Sequence, residues 1–165
     1  MKKRIALLPV LSLLILSACD KEPDCQYQRL PVTSFEKEYG CSNTLYEMDV
    51  KLPLDQPHIG HKIVSSQSQY DSLVTSTTCN PQIDFSAYDL VIGKVMTDRE
   101  FSSAEYVLRN PCSSDTLSLV VVLNNSTQSP TIISSTTYSA LIPKLSNNHV
   151  IDVTISYTLK LILKI

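Results

Sequence analysis

The chain has 165 residues, with 14 basic and 16 acidic side chains and only three glycines. That length suits one domain able to bury its own core. The acidic balance argues against a nucleic-acid surface, and so few glycines exclude a glycine-rich phosphate loop.

The amino terminus is an address. Lys2, Lys3 and Arg4 precede a predominantly apolar run from Ile5 to Leu16, followed by Leu16-Ser17-Ala18-Cys19. Twelve residues cover only ~18 Å as a helix, short of the roughly 20 residues that cross a hydrocarbon core, so the run reads as a secretion signal. It resembles a bacterial lipoprotein signal with its lipobox, in which the cysteine thiol takes a diacylglyceryl group and the chain is cut before it. The resemblance implies a signal peptide over 1–18, lipidation at Cys19, and membrane association through palmitate-type acyl chains with no spanning helix. Cleavage leaves 11 basic against 16 acidic side chains, a net charge of −5, which again speaks against a nucleic-acid partner.

Residues 19–33, with Asp20, Lys21, Glu22, Pro23, Asp24 and Pro31, read as the lipidated cysteine and a tether, and 34–165 as a single β-rich domain. Tyr46, Met48, Val50 and Leu52 alternate with Glu47, Asp49 and Lys51, the period of a half-buried strand. His58 and His61 fall in what reads as a solvated loop between Pro57 and Lys62. Ser66-Gln67-Ser68-Gln69 has the form of a capping box, and Tyr70, Leu73 and Val74 share one helical face, which predicts one short helix over about 66–75.

The run Leu90–Met96 is apolar nearly throughout and predicts a central strand covered on both faces. Tyr106–Leu108 and Leu117–Leu123 flank the turn chemistry of Asn110–Ser114, so a hairpin is expected. Asn124–Pro130 then reverses the chain into Thr131–Ile133 and Tyr138–Ile142. From Ile151 to Ile165 alternation is broken only at Ile162; at ~3.3 Å per residue the segment would reach nearly 50 Å, so it bends, serves two sheets or leaves one end unpaired. With one helix and no strand-helix-strand repeats, the fold class is mainly β, an antiparallel β-sandwich or half-open barrel. Tyr70, Tyr88, Tyr106 and Tyr138 sit in apolar patterns and read as core or core edge.

With Cys19 assigned to lipid, Cys25, Cys41, Cys79 and Cys112 remain as disulfide candidates in an exported chain. Three pairings are open, and the sequence does not choose among them. No Cys-x-x-Cys pair occurs and no histidine stands at ligand spacing from a cysteine, so no metal and no cofactor is expected. Catalytic patterns are lacking too: there is no Gly-x-Ser-x-Gly and no Ser-x-x-Lys. Asp84, Asp89, Asp98, Glu100 and Glu105 are the carboxylates from which a hydrolase pair would have to be drawn, and nothing singles out two of them.

Ile63-Val64-Ser65-Ser66, the helix through Tyr70 and Leu73, and Pro81-Gln82-Ile83-Asp84-Phe85-Ser86-Ala87-Tyr88-Asp89-Leu90-Val91 together resemble PrcB-like protease-complex accessory lipoproteins and related exported proteins of the Bacteroides group. The resemblance implies a β-rich domain with one helix and no catalytic residues of its own. Asp71-Ser72-Leu73 and Asp115-Thr116-Leu117 are similar to the O-glycosylation tripeptide of that group, and Asp20, Glu22 and Asp24 to its surface-export tag. The reading that follows is a non-catalytic lipoprotein of the cell envelope, on the outer rather than the inner membrane, that binds or stabilises another envelope protein. A fimbrial or assembly subunit using its C-terminal strand and a carboxylate-dependent hydrolase are the alternatives.

Overall fold

The computed structural model describes residues 27–41, 44–52, 59–75, 79–111, 115–126, 134–146 and 149–158. The leader, Cys19, Cys25, Cys112, His58, the run 131–133 and the alternation beyond Thr158 lie outside the described residues.

In chain order the elements are β1 (Gln28–Leu30), β2 (Thr33–Ser34), α1 (Phe35–Tyr39), α2 (Thr44–Glu47), β3 (Asp49–Val50), β4 (Ile59–Val64), α3 (Gln67–Leu73), β5 (Val74–Thr75), β6 (Tyr88–Thr97), β7 (Phe101–Asn110), β8 (Thr116–Asn125), β9 (Ser134–Pro143) and β10 (Val150–Thr158). They form one sheet in the order β1-β7-β8-β10, a second in the order β2-β9-β6-β4, and a small β3-β5 pair. The two large sheets share a core, so the architecture is a β-sandwich, and among the described residues the strands do not close into a barrel.

The apolar run of β6 has the expected cause. The strand lies between β9 and β4. Val91 and Val95 point into the core between the sheets, against Leu119, Val121 and Ile151, while Leu90 and Ile92 point into a second core roofed by Phe35, Met48, Val50, Tyr70 and Leu73. Successive side chains of a strand face opposite sides, so two covered faces demand two apolar sets. The β7–β8 hairpin also forms, antiparallel from Phe101↔Asn125 to Arg109↔Ser118, with a bulge between Phe101 and Ser103. Tyr70 and Tyr138 are fully buried, and Tyr88 and Tyr106 half-buried.

α3 matches the predicted helix, slightly shortened. Ser66 Oγ accepts from Gln69 N at 3.3 Å, and Gln69 Oε1 accepts from Ser65 N at 2.8 Å. Val74 is already extended and enters β5, so the helix ends at Leu73.

Several expectations need correction. Two further helices, α1 and α2, are single turns too short to leave a periodic signal. α1 is set by local chemistry instead: Ser34 caps it by accepting from Lys37 N, and Gly40, at φ 65°, ends it in the left-handed conformation that glycine adopts without steric cost. The strand expected from Tyr46 to Leu52 shrinks to Asp49–Val50 because α2 takes Tyr46; Met48 and Val50 still face the core, both 2% exposed.

Gln28–Leu30 and Thr33, read as part of the tether, pair with β7 and β9. His61 lies on the edge strand β4 and not in a loop. The β-sandwich is antiparallel in its other described pairings, and β10 alone runs parallel to its neighbour β8, from Val150↔Thr116 to Thr158↔Asn124. The chain crosses to the other sheet for β9 and returns in its original direction. Alternation reports which side chains face the core, and it carries no information about the neighbouring strand.

Tyr106 and Tyr138 separate two consequences of burying a phenol, which pushes both hydroxyl pKa values up. Tyr106 Oη accepts from Ser139 N at 2.9 Å, on a stretch of β9 beyond the end of β2 at Ser34. Tyr138 Oη, on a side chain 0% exposed, has no partner among the described residues. Tyr106→Phe orphans an amide and is expected to lose about 1–3 kcal/mol, whereas Tyr138→Phe removes an unpaired polar atom and is expected to be neutral or stabilising. Denaturant midpoints read both, and equal losses would contradict the contrast.

Candidate functional site at the open end of the sandwich

The two ends of the sandwich differ. At one end the chain enters through β1, beside the β7–β8 turn, where Gln28 pairs with Asn110 and Val150 N donates to Asp115 O at 3.0 Å. At the other end lie the close of β6, the start of β7 and the ends of β8 and β10. Strands of nine or ten residues at ~3.3 Å each separate the ends by roughly 30 Å.

The second end holds a concavity of about 560 Å³ lined by Met96, Asp98, Arg99, Phe101, Asn125 and Tyr157, among others. Its parts follow from the strand ends. The short link from β6 to β7 carries Asp98 and Arg99, whose side chains approach to 3.8 Å. Thr97 Oγ1 donates to Arg99 O at 3.0 Å, and Ser126 N donates to Glu100 O at 3.0 Å, which ties the link to the end of β8.

Phe101 is held from outside. Tyr46 Oη donates to Phe101 O at 3.0 Å and accepts from Phe101 N, so the single turn of α2 anchors the bulged start of β7. Its ring meets that of Tyr157 at 5.7 Å between centroids. Tyr157 is 50% exposed, and partial burial together with Asp98 pushes its hydroxyl pKa up. Asn125 Oδ1 is buried in the wall without a hydrogen-bond partner among the described residues. Two rings, a thioether, the Asp98–Arg99 ion pair and a buried amide oxygen suit an apolar group carrying a hydrogen-bond donor.

Beside the concavity runs β10, the last strand of its sheet among the described residues. Asp152, Thr154, Ser156 and Thr158 are exposed along it, and Asp152 is its one charge. An edge strand that long with so little charge is a template for an added strand.

Of the carboxylates named from sequence, Asp84, Asp89, Asp98 and Glu105 each have a partner of their own. Asp84 closes a turn, accepting from Ser86 N at 3.0 Å, and the Ser86 contacts hold its carboxyl below the usual range. Asp89 is buried. Burial alone would raise its pKa, but Lys144 Nζ at 2.7 Å, Leu145 N at 2.8 Å and Ser65 outweigh that and keep it low. Glu105 accepts from Asn124 Nδ2 at 3.0 Å, and Asp98 faces Arg99. Among the described residues no group of three or more His, Cys, Asp or Glu side chains is placed to hold a metal ion.

Cys41 and Cys79 form a disulfide, with Cα atoms 5.5 Å apart. His61 is exposed on β4, and His149 Nδ1 lies 2.6 Å from Ser146 Oγ. Of the two glycosylation-like tripeptides, Ser72 is exposed on α3 with its Oγ donating to Gln69 O at 2.9 Å, and Thr116 is half-buried in β8. Their leucines, Leu73 and Leu117, belong to the core.

Sequence reasoning missed the concavity. Phe101 and Asn125 pair across a hairpin that was legible, but Tyr157 joins them only because β10 lies parallel to β8, which no local pattern encodes. A scan against protein-family models, a search of curated proteins and a search of solved structures return no match. No helix among the described residues is long and apolar enough to cross a membrane.

Proposed function

We propose that this protein is a lipoprotein of the bacterial cell envelope, anchored through Cys19 to the outer membrane, whose β-sandwich is non-catalytic and binds another envelope protein. The observation that carries the reading is the polarity of the fold. The chain enters beside the β7–β8 turn, and the concavity with Tyr157 and the exposed end of β10 lie at the far end. An anchor nine residues before Gln28 keeps the first end near the bilayer and presents the second outward. The net charge of −5 after cleavage favours a protein over an anionic lipid surface as the thing contacted. The resemblance of residues 63–91 to PrcB-like accessory lipoproteins implies a domain without catalytic residues of its own, in keeping with a non-catalytic role.

Binding combines a strand added along β10 with an apolar side chain seated between Phe101 and Tyr157, a mode in which backbone hydrogen bonds supply affinity and the pocket supplies selectivity. The edge of β10 also favours a second reading, in which the added strand belongs to another copy and the protein is an assembly subunit.

A photo-crosslinking residue placed at Tyr157 in the cell tests both. The expected result is one adduct of discrete mass containing a different envelope protein, absent when the crosslinker replaces the exposed Arg109 at the opposite end. A ladder of multiples of this chain moves the reading to self-assembly. Adducts equal from both positions, or none from Tyr157, would overturn it.

A further inference from the structure

We propose that Arg29 and Arg109, side by side on the outer face of the β1-β7-β8-β10 sheet, form a phosphate-binding clamp that takes the headgroup of an anionic phospholipid at the end of the sandwich opposite the concavity. The two are Cα partners in the antiparallel β1–β7 ladder. Leu30 and Leu108, the next residues toward the middle of the ladder, turn to the core between the sheets, so both arginines project from the opposite face, and both are exposed.

Directly opposed side chains stand about 5 Å apart at their β-carbons, and like charges placed so repel. Among the described residues the ion pairs are Lys94–Asp49, Arg99–Asp98 and Lys144–Asp89, so neither guanidinium is neutralised by a carboxylate. The same row of the sheet continues through Ser118 on β8 to Asp152 on β10. Asp152 is two strands away from Arg109, roughly 10 Å across the backbones, while the Ser118 hydroxyl is its immediate neighbour and adds a donor. Two planar guanidiniums with a hydroxyl beside them suit a tetrahedral anion, because each fork gives two parallel N–H···O bonds to phosphate oxygens.

That the phosphate belongs to a lipid rests on the anchored reading above and on what surrounds the pair. Arg29 follows Cys19 by ten residues, a span of at most ~34 Å. Tyr27, 68% exposed, and Val150, 60% exposed, are the two most exposed large hydrophobic side chains among the described residues. Both lie at this end, Tyr27 just before the Gln28↔Asn110 rung and Val150 opposite Thr116. A ring and an apolar side chain next to arginines match a bilayer interface, where aromatic rings sit at headgroup depth and cations meet phosphates.

The chain is acidic overall, at −5 after cleavage, so the attraction is local to the anchored end and leaves the concave end turned away. It also acts on the fold. β1 has three rungs, and Arg29↔Arg109 is the middle one. A phosphate between the guanidiniums removes the repulsion across that rung, so contact with the bilayer closes the entering strand onto β7.

Vesicle binding by the whole mature chain carrying Cys19→Ser tests the clamp without help from acyl groups. Vesicles of phosphatidylglycerol are expected to bind it, more weakly as salt rises, and vesicles of phosphatidylcholine are not. Arg29→Gln combined with Arg109→Gln is expected to lower that binding by roughly tenfold or more. The denaturant midpoint of the double variant should hold or rise, because the repulsion is gone. Amide exchange at Arg29 and Leu30 is expected to slow on phosphatidylglycerol and not on phosphatidylcholine. Acyl labelling at Cys19 in the unsubstituted protein is read separately, so failure of the anchor and failure of the clamp are distinguishable. Equal binding to both vesicles, undiminished binding or a lowered midpoint in the double variant, equal binding of inorganic phosphate alone, or tighter binding to poly-glutamate would each overturn the proposal.

Discussion

Gly93→Ala is expected to destabilise the protein by about 3 kcal/mol or more, and Gly93→Val to prevent folding. Gly93 pairs across β6 and β9 with Tyr138, and the phenol lies over the glycine. A β-carbon added there would stand 2.6 Å from Tyr138 Cε2 and nearer still to Cζ and the hydroxyl. The ring has nowhere to go, since Tyr138 is 0% exposed and packed between the sheets. Overpacking a close-packed core costs about 1–3 kcal/mol when neighbours can adjust, and here both strands and the ring are enclosed. A double-mutant cycle isolates the cause: Tyr138→Leu makes room, so it is expected to recover part of the loss caused by Gly93→Ala. Additive losses in denaturant unfolding would show that the glycine is required for some other reason.

Removal of the Cys41–Cys79 bond by paired serine substitutions is the second large effect, expected at about 4 kcal/mol from restriction of the unfolded chain over a separation of 38 residues. The bond encloses β4, the end strand of the second sheet, and α2, β3, α3 and β5, elements of two to seven residues that roof the second core. Short elements bring few ladder hydrogen bonds of their own, so cohesion of this layer rests on Phe35, Tyr70 and Leu73 and on the covalent tie. Tyr70 depends on it directly: its hydroxyl, whose pKa burial pushes up to about 12, donates to Cys79 O at 3.4 Å. The loss should therefore be local at first, with α3, β3 and β5 exchanging amides early while β6–β8 hold. A drop below about 1 kcal/mol, or simultaneous opening of all strands, would contradict this.

How far the sequence discloses this fold depends on which physical signal each part carries. β6 is legible because two buried faces leave no room for polar residues, and α3 because a capping box and a helical face coincide. The single turns α1 and α2 are not, since four or five residues cannot display a period; only Ser34 and Gly40 mark the first. Partner strands are hidden for a different reason. Ile151, Val153 and Ile155 announce a face, but whether β10 lies beside β7, β8 or β9 is decided by the crossover through β9. The concavity inherits that ignorance, since Tyr157 reaches Phe101 only through that placement. The cysteines show the converse: their number predicts oxidation, while the pairing of Cys41 with Cys79 needed the packed layer to bring them together.

The central claim is that one lipidated thiol holds the sandwich on a membrane with its concave end outward. Metabolic labelling with an alkyne fatty acid tests it most directly. Mature protein is expected to carry the label at Cys19 and to remain with the envelope, and Cys19→Ser to be unlabelled and released. Unlabelled, freely soluble protein lacking its first 18 residues would contradict the account.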